Sequence, residues 1–149
     1  MSLSTSCELC SDFRATSGWI EVASDERLRV LRVLDAPDFP GFYRVVWRGH
    51  VAEHSDLSAA DRGHVMAVVD RVERLLRQHL SPDKINLASL GNVVPHLHWH
   101  VIARSKLDSH FPQPVWGQRQ RDVADGLKAD WRAALDQIDT ALQRALTEA

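Results

Sequence analysis

What this chain has little of narrows the field. It holds two cysteines in 149 residues, Cys7 and Cys10. Two cysteines cannot build a disulfide framework, which excludes a small secreted stapled fold. No run approaches 18 apolar residues, so no transmembrane helix is expected. Residues 1–18 show no basic start followed by an apolar stretch, so no secretory signal is expected either. Neither charge dominates: 18 basic residues stand against 20 acidic ones, a net charge of −2. That leaves no large positive field for a nucleic-acid polymer. Repeats and low-complexity tracts are absent. The expectation is one cytoplasmic domain over 1–149, with no membrane and no nucleic-acid partner.

What is present is a foldable core and an excess of histidine. The chain is 44% hydrophobic and 26% charged, with eight histidines. WIEVAS (19–24), LRVLRVLD (28–35) and FYRVVWR (42–48) read as strands, with the Pro- and Gly-bearing APDFPG (36–41) as a loop. A helix is predicted over 58–80, with Ser58 as N-cap and Asp61 three residues on. Its apolar face is Val65, Val68, Val69, Val72, Leu75, Leu76 and Leu80, and Ser81-Pro82 ends it. KINLASL (84–90) and HLHWHVIAR (96–104) read as strands around a turn-rich GNVVP (91–95). Residues 105–120 look irregular. A last helix over about 122–146 carries Trp131, Leu135, Ile138, Leu142 and Leu146 on one side. The order β-β-β-α-β-β-α predicts an α+β domain: an antiparallel sheet of about five strands, a long helix and a C-terminal helix.

His96-Leu97-His98-Trp99-His100-Val101 is the informative segment. Strand side chains alternate, so three imidazoles share one face, spaced about 6.7 Å apart, while Leu97, Trp99, Val101 and Ala103 share the other. The apolar face can pack on helices and leave the histidines to line a cleft. Imidazole can serve there as nucleophile, acid or metal ligand. Cys7-Glu8-Leu9-Cys10 is a zinc half-site by spacing, and by spacing alone also a redox motif.

His96 to Ile102 match H-φ-H-φ-H-φ-φ, with φ hydrophobic, at every position. On that motif the chain resembles the histidine triad (HIT) family. The N-terminal C-x-x-C, the strand leading to His50, the long helix and the Asn86-bearing strand agree with bacterial members. The resemblance implies a HIT fold with a leader at 1–18 and a C-terminal loop and helix at 105–149. It implies a nucleotide hydrolase or transferase acting at an α-phosphate. Nucleoside phosphoramidates and dinucleoside polyphosphates, such as diadenosine tetraphosphate, are the implied substrates. His98 would attack phosphorus to give a nucleotidyl-histidine. His100 would donate to a phosphate oxygen, and the N–H groups of Gly91, Asn92, Val93 and Val94 would cradle it.

Further roles follow from the resemblance alone. Asn86 and Asp35 would contact the nucleotide, with a buried structural asparagine as the other reading of Asn86. Trp19, Val22 and Leu34 would wall the base, or be plain core. Cys7, Cys10, His50 and His96 would hold a structural zinc, with no cofactor needed for the chemistry. Trp116 resembles a tryptophan that reaches a neighbouring subunit's site, and a homodimer is implied. The chain departs from the family pattern at Val93, which lacks a leaving-group hydroxyl, at Phe42, where many members have histidine, and at Ala103. His54, lying just past the third strand, could replace His50. His64 and His79 are expected at solvent, and His110 is left without a role. Two other functions stay open: a zinc hydrolase using His96, His98 and His100 as ligands, and a nucleotide-binding regulator with weak activity.

Overall fold

The structure is a computed structural model that describes residues 7–10, 18–123 and 125–148. Five strands form one antiparallel sheet: β1 (Trp19–Ser24), β2 (Leu28–Val33), β3 (Phe42–Trp47), β4 (Lys84–Ala88) and β5 (His98–Arg104). Their order is β1-β2-β3-β5-β4. Two helices accompany them, α1 (Ala59–Leu80) and α2 (Asp125–Thr147), with a short 3-10 turn at His54–Asp56. This is the α+β architecture expected from the element order, and it is the HIT-type fold that the resemblance implies. Residues 1–6 and 11–17 of the predicted 1–18 leader, and residue 124 of the predicted last helix, lie outside the described residues.

Local chemistry explains the turns and caps. Asp25 accepts the N–H groups of Arg27 (2.7 Å) and Leu28 (2.9 Å), closing the β1–β2 hairpin as an Asx-type turn. Ser58 caps α1 by accepting the Asp61 N–H at 3.1 Å. Ser81 ends α1 in the left-handed region with φ 47°, and its N–H bonds the Arg77 carbonyl. β2 stops at Val33, two residues early, because the N–H groups of Leu34 and Asp35 both turn to the Gly18 carbonyl. β4 also stops two residues early, at Ala88.

The sheet has two unlike faces. The helix side buries Leu28, Val30, Tyr43, Val45, Val101 and Ala103 against Val69, Val72 and Leu76 of α1 and Ile138 and Leu142 of α2. Tyr43 donates to Asp139 of α2 at 2.7 Å, and Arg32 holds the other carboxylate oxygen at 3.0 Å. The opposite face is covered only in part. Leu9 packs there on Trp19, Leu31 and Val46, and Phe39 on Val33, Phe42 and Ile102. Arg29 is buried on this face and donates to the Leu9 carbonyl at 2.6 Å, which anchors the C-x-x-C segment. The remaining open area of this face exposes β3 and β5 to a cleft.

The irregular segment after β5 is tied down by one buried cation. Arg104 makes two bonds to Asp108 (2.7 and 3.0 Å) and donates to the Gln113 carbonyl and to Asn86 Oδ1 (2.8 Å each). Burial alone would raise the Asp108 pKa. The Arg104 bond and the N–H groups of His110 and Phe111 outweigh it and hold the carboxyl below its usual range.

Gly41 sits where β3 meets α1. A Cβ there would lie 2.8 Å from Leu80 Cδ1 and 2.9 Å from Ala103 Cβ. Gly41→Ala is therefore expected to destabilise the fold by about 1–3 kcal/mol through overpacking. Urea unfolding measures it, and an unchanged midpoint would show that α1 does not pack this closely.

Candidate active site and metal centre

The end of β5 and the segment before it build both centres. His96 precedes the strand, which begins at His98 and not at His96 as its alternation predicts. The chain turns there instead: the His96 N–H bonds the Val94 carbonyl at 2.8 Å, and the Leu97 N–H bonds Val51 at 2.7 Å. His96, His98 and His100 are all buried, and Leu97 and Val101 still pack into the helix-side core.

The three histidines have different partners. His98 Nδ1 lies 2.6 Å from the His96 carbonyl oxygen, a distance that requires Nδ1 to carry the proton and donate. Its Nε2 is then the lone-pair nitrogen. Burial comes first in lowering the His98 pKa, the positive charge of Arg44 adds to it, and the His96 carbonyl works against both. His100 is pushed down to about 3 by burial, then by His98 and Arg44, and its Nδ1 has no hydrogen-bond partner. Near neutral pH both rings are uncharged.

These rings line a cleft of about 360 Å³ with the Gly91–Val94 loop, Arg44, Glu8 and Trp116. Gly91 has φ +79°, a conformation that favours glycine, in the loop that lines the cleft. Asn92 and Val93 are exposed at its edge. Phe42 and Trp116 pack on His100 at ring-centroid distances of 5.6 and 4.9 Å. Trp116 thus meets the histidine of its own chain.

The other expected contacts are distributed differently. Asn86 lies on β4 with its Oδ1 held by Arg104, and Asp35 is exposed beside Gly18; neither lines the cleft. Val22 belongs to the helix-side core, Trp19 packs with Leu9, and Leu34 is exposed. His64 is not simply at solvent: its Nε2 lies 2.6 Å from Asp25. His54 packs edge-on against Trp99 and His110 against Phe39. Sequence reasoning missed Arg44. The signal was there: a charged residue sharing a face with Phe42 and Val46 in an otherwise apolar strand.

Cys7, Cys10, His50 and His96 converge, with one ligand atom from each within 4.8 Å of the others. Nδ1 of His96 lies 3.5 Å from Cys7 Sγ and 3.4 Å from Cys10 Sγ. Nδ1 of His50 lies 3.1 Å from Cys10 Sγ and 3.3 Å from Nδ1 of His96. A tetrahedron with zinc-like bond lengths has N···S edges of about 3.5 Å and N···N edges of about 3.3 Å. His96 Nε2 donates to the Trp47 carbonyl, which leaves Nδ1 unprotonated and turned to the sulfurs. Two thiolates and two neutral imidazoles fit a closed site for a divalent ion. Among the described residues this is the one such cluster, and His98 and His100 are not part of it.

A mixed sheet-and-helix layer with a histidine cleft beside a Cys2His2 cluster defines a class of protein, and comparison with known proteins agrees with it. The HIT domain family model matches residues 21–107. The chain belongs to the HIT family. A histidine triad protein from Bradyrhizobium japonicum is 31% identical with a TM-score of 0.70, covering 91% of this chain and 96% of its own. A histidine triad protein from Marinobacter aquaeolei is 25% identical (TM-score 0.68, 85% and 92% coverage). A Zn-bound histidine triad family protein from Mycobacterium smegmatis is 26% identical (TM-score 0.59, 91% and 97% coverage). No curated protein sequence matches.

The cluster predicts that metal content and stability move together. Cys10→Ser is expected to lower both bound divalent metal, read by elemental analysis, and the thermal midpoint. Full metal content in Cys10→Ser would remove the assignment.

Proposed function

We propose that this chain is a nucleotide hydrolase or nucleotidyltransferase that attacks an α-phosphate through His98. The observation that carries the reading is the His98 Nδ1–His96 carbonyl bond at 2.6 Å. It leaves the Nε2 lone pair of a neutral imidazole as the nucleophile. In the first step a bond forms from His98 Nε2 to the α-phosphorus, and the bond from phosphorus to the leaving group breaks. The leaving group takes the electron pair. In the second step water, or another acceptor hydroxyl, gives up a proton and displaces His98. Neutral His100 supplies an N–H to a phosphate oxygen rather than acting as a strong acid. Backbone N–H groups of Gly91, Asn92 and Val93 bind the same phosphate.

The Cys7, Cys10, His50 and His96 cluster suits zinc, which would supply structure only. His96 then acts from outside the reacting atoms, through its ring on the metal and its carbonyl on His98. Asn86 and Asp35 approach the nucleotide only if the substrate extends beyond the cleft. A second copy of the chain would pair at the free edge of β4, where Leu87 is exposed. No helix among the described residues is long and apolar enough to cross a membrane, which suits a nucleotide substrate in the cytoplasm.

The test is a panel of nucleoside phosphoramidates and dinucleoside polyphosphates with His98→Asn beside the parent protein. Turnover is expected to fall by about 10³-fold or more in the variant. Tight nucleotide binding without turnover of any substrate would favour a regulatory protein. The depressed His98 pKa also has a sign. The attacking free base persists as pH falls below the ordinary histidine value of 6.5. The acid limb of kcat/KM is therefore expected below that value. A limb centred at or above it contradicts the reading.

A further inference from the structure

Arg44 has no place in the chemistry described so far, yet it lies inside the cleft. In the β3–β5 register it stands directly opposite His100, while Val46 stands opposite His98. Residues paired across a sheet share a face, so its side chain leaves the sheet beside the His100 ring and one pair removed from His98. Among the described residues lining the cleft it is the one lysine or arginine. Its guanidinium carbon lies 5.8 Å from the centroid of the Phe42 ring.

The guanidinium is poorly satisfied. Its Nε is buried without a hydrogen-bond partner. Burial works against its charge, and the acids that support it, Asp35 and Glu8, act only through longer-range attraction. The two buried arginines of the same face are anchored: Arg104 holds Asp108 in two bonds, and Arg29 holds the Leu9 carbonyl. A buried donor without a partner costs stability, so such a fork calls for an anion that arrives with a ligand.

The leaving-group side of the cleft has a matching feature. Among the described residues that line it, none is a serine, threonine or tyrosine. A basic leaving group such as an amine needs a proton as it departs. A phosphate departs as a stable anion and needs none.

Resting on the proposed attack by His98, we propose that Arg44 is a specificity-determining residue that binds the substrate's phosphate chain beyond the attacked phosphorus. The cleft then favours nucleotides with two or more linked phosphates over those with an uncharged leaving group. His98 and the Gly91 loop take the first phosphate, and the Arg44 fork takes the next.

Calorimetric binding of ADP and AMP to the full metal-loaded chain tests this without requiring turnover. The parent protein is expected to bind ADP about 10- to 100-fold more tightly than AMP. Arg44→Gln is expected to erase that preference and to leave AMP affinity within about threefold. Arg44→Lys, which keeps the charge and loses the fork, is expected to fall between. Arg44→Leu serves if the glutamine variant does not fold, since its neighbours Phe42 and Val46 are apolar. In turnover, Arg44→Gln is expected to lose activity on a dinucleoside polyphosphate and to keep it on a phosphoramidate with an uncharged amine. An ADP preference that survives loss of Arg44, or an equal loss on both ligands, overturns the proposal. A parent protein that binds with this preference and turns over neither substrate sinks the His98 reading and leaves the Arg44 assignment standing.

Discussion

His96 is bound at both of its ends, and the two centres of this protein meet in that one residue. Its ring spans from the Trp47 carbonyl to the sulfurs of Cys7 and Cys10. Its carbonyl receives the Nδ1 proton of His98 at 2.6 Å. The first set of contacts fixes where the residue lies. The second fixes which nitrogen of His98 is free. A rotation of His96 away from the cysteines would shift its carbonyl and release the His98 tautomer. That coupling joins the Cys2His2 cluster to the proposed nucleophile two residues away, and it accompanies the chain's departure from strand geometry at His96 and its recovery at His98.

The sheet separates stability from chemistry. Its helix side is a continuous apolar core in which α1 and α2 cover β1, β3 and β5. Removing that apolar surface from water is the main force holding the layers together. The other side holds the charges and imidazoles, and it is closed by pieces of loop rather than by helices. Arg29 holds the C-x-x-C segment over one end through Leu9. Arg104 holds the segment after β5 over the other, and so brings Trp116 onto His100. What stays open between them is the cleft. The two buried arginines on that face, Arg29 and Arg104, each fasten a loop, whereas the half-buried Arg44 lines the space a substrate would fill.

Much of the fold was legible because the periodicities are clean. The valine and leucine spacing of α1 and the Leu135, Ile138, Leu142, Leu146 stripe of α2 matched the buried faces. The alternation of His98, Trp99, His100 and Val101 gave the two faces of β5. Cys7, Cys10, His50 and His96 came together as the resemblance implied. The errors have local physical causes. His96 was read as strand because alternation cannot register a ring captured by a distant cluster. The nucleotide and structural readings of Asn86 both stay open in the sequence, which does not reveal that Arg104 holds its carbonyl oxygen. His64 was assigned to solvent because its partner, Asp25, is 39 residues away in a hairpin turn. The alternation of β3 puts Arg44 on one face with Phe42 and Val46, and the register with His100 identifies that face as the one toward the cleft.

The central claim is that His98 becomes covalently bound to the nucleotide. Rapid base quenching during turnover, followed by intact-mass and peptide mass spectrometry without acid exposure, tests it most directly. The account predicts a nucleoside monophosphate adduct that is stable to base, labile to acid and located on His98, and that is missing in His98→Asn. Turnover in a single step with no adduct, or an adduct on another residue, would contradict it.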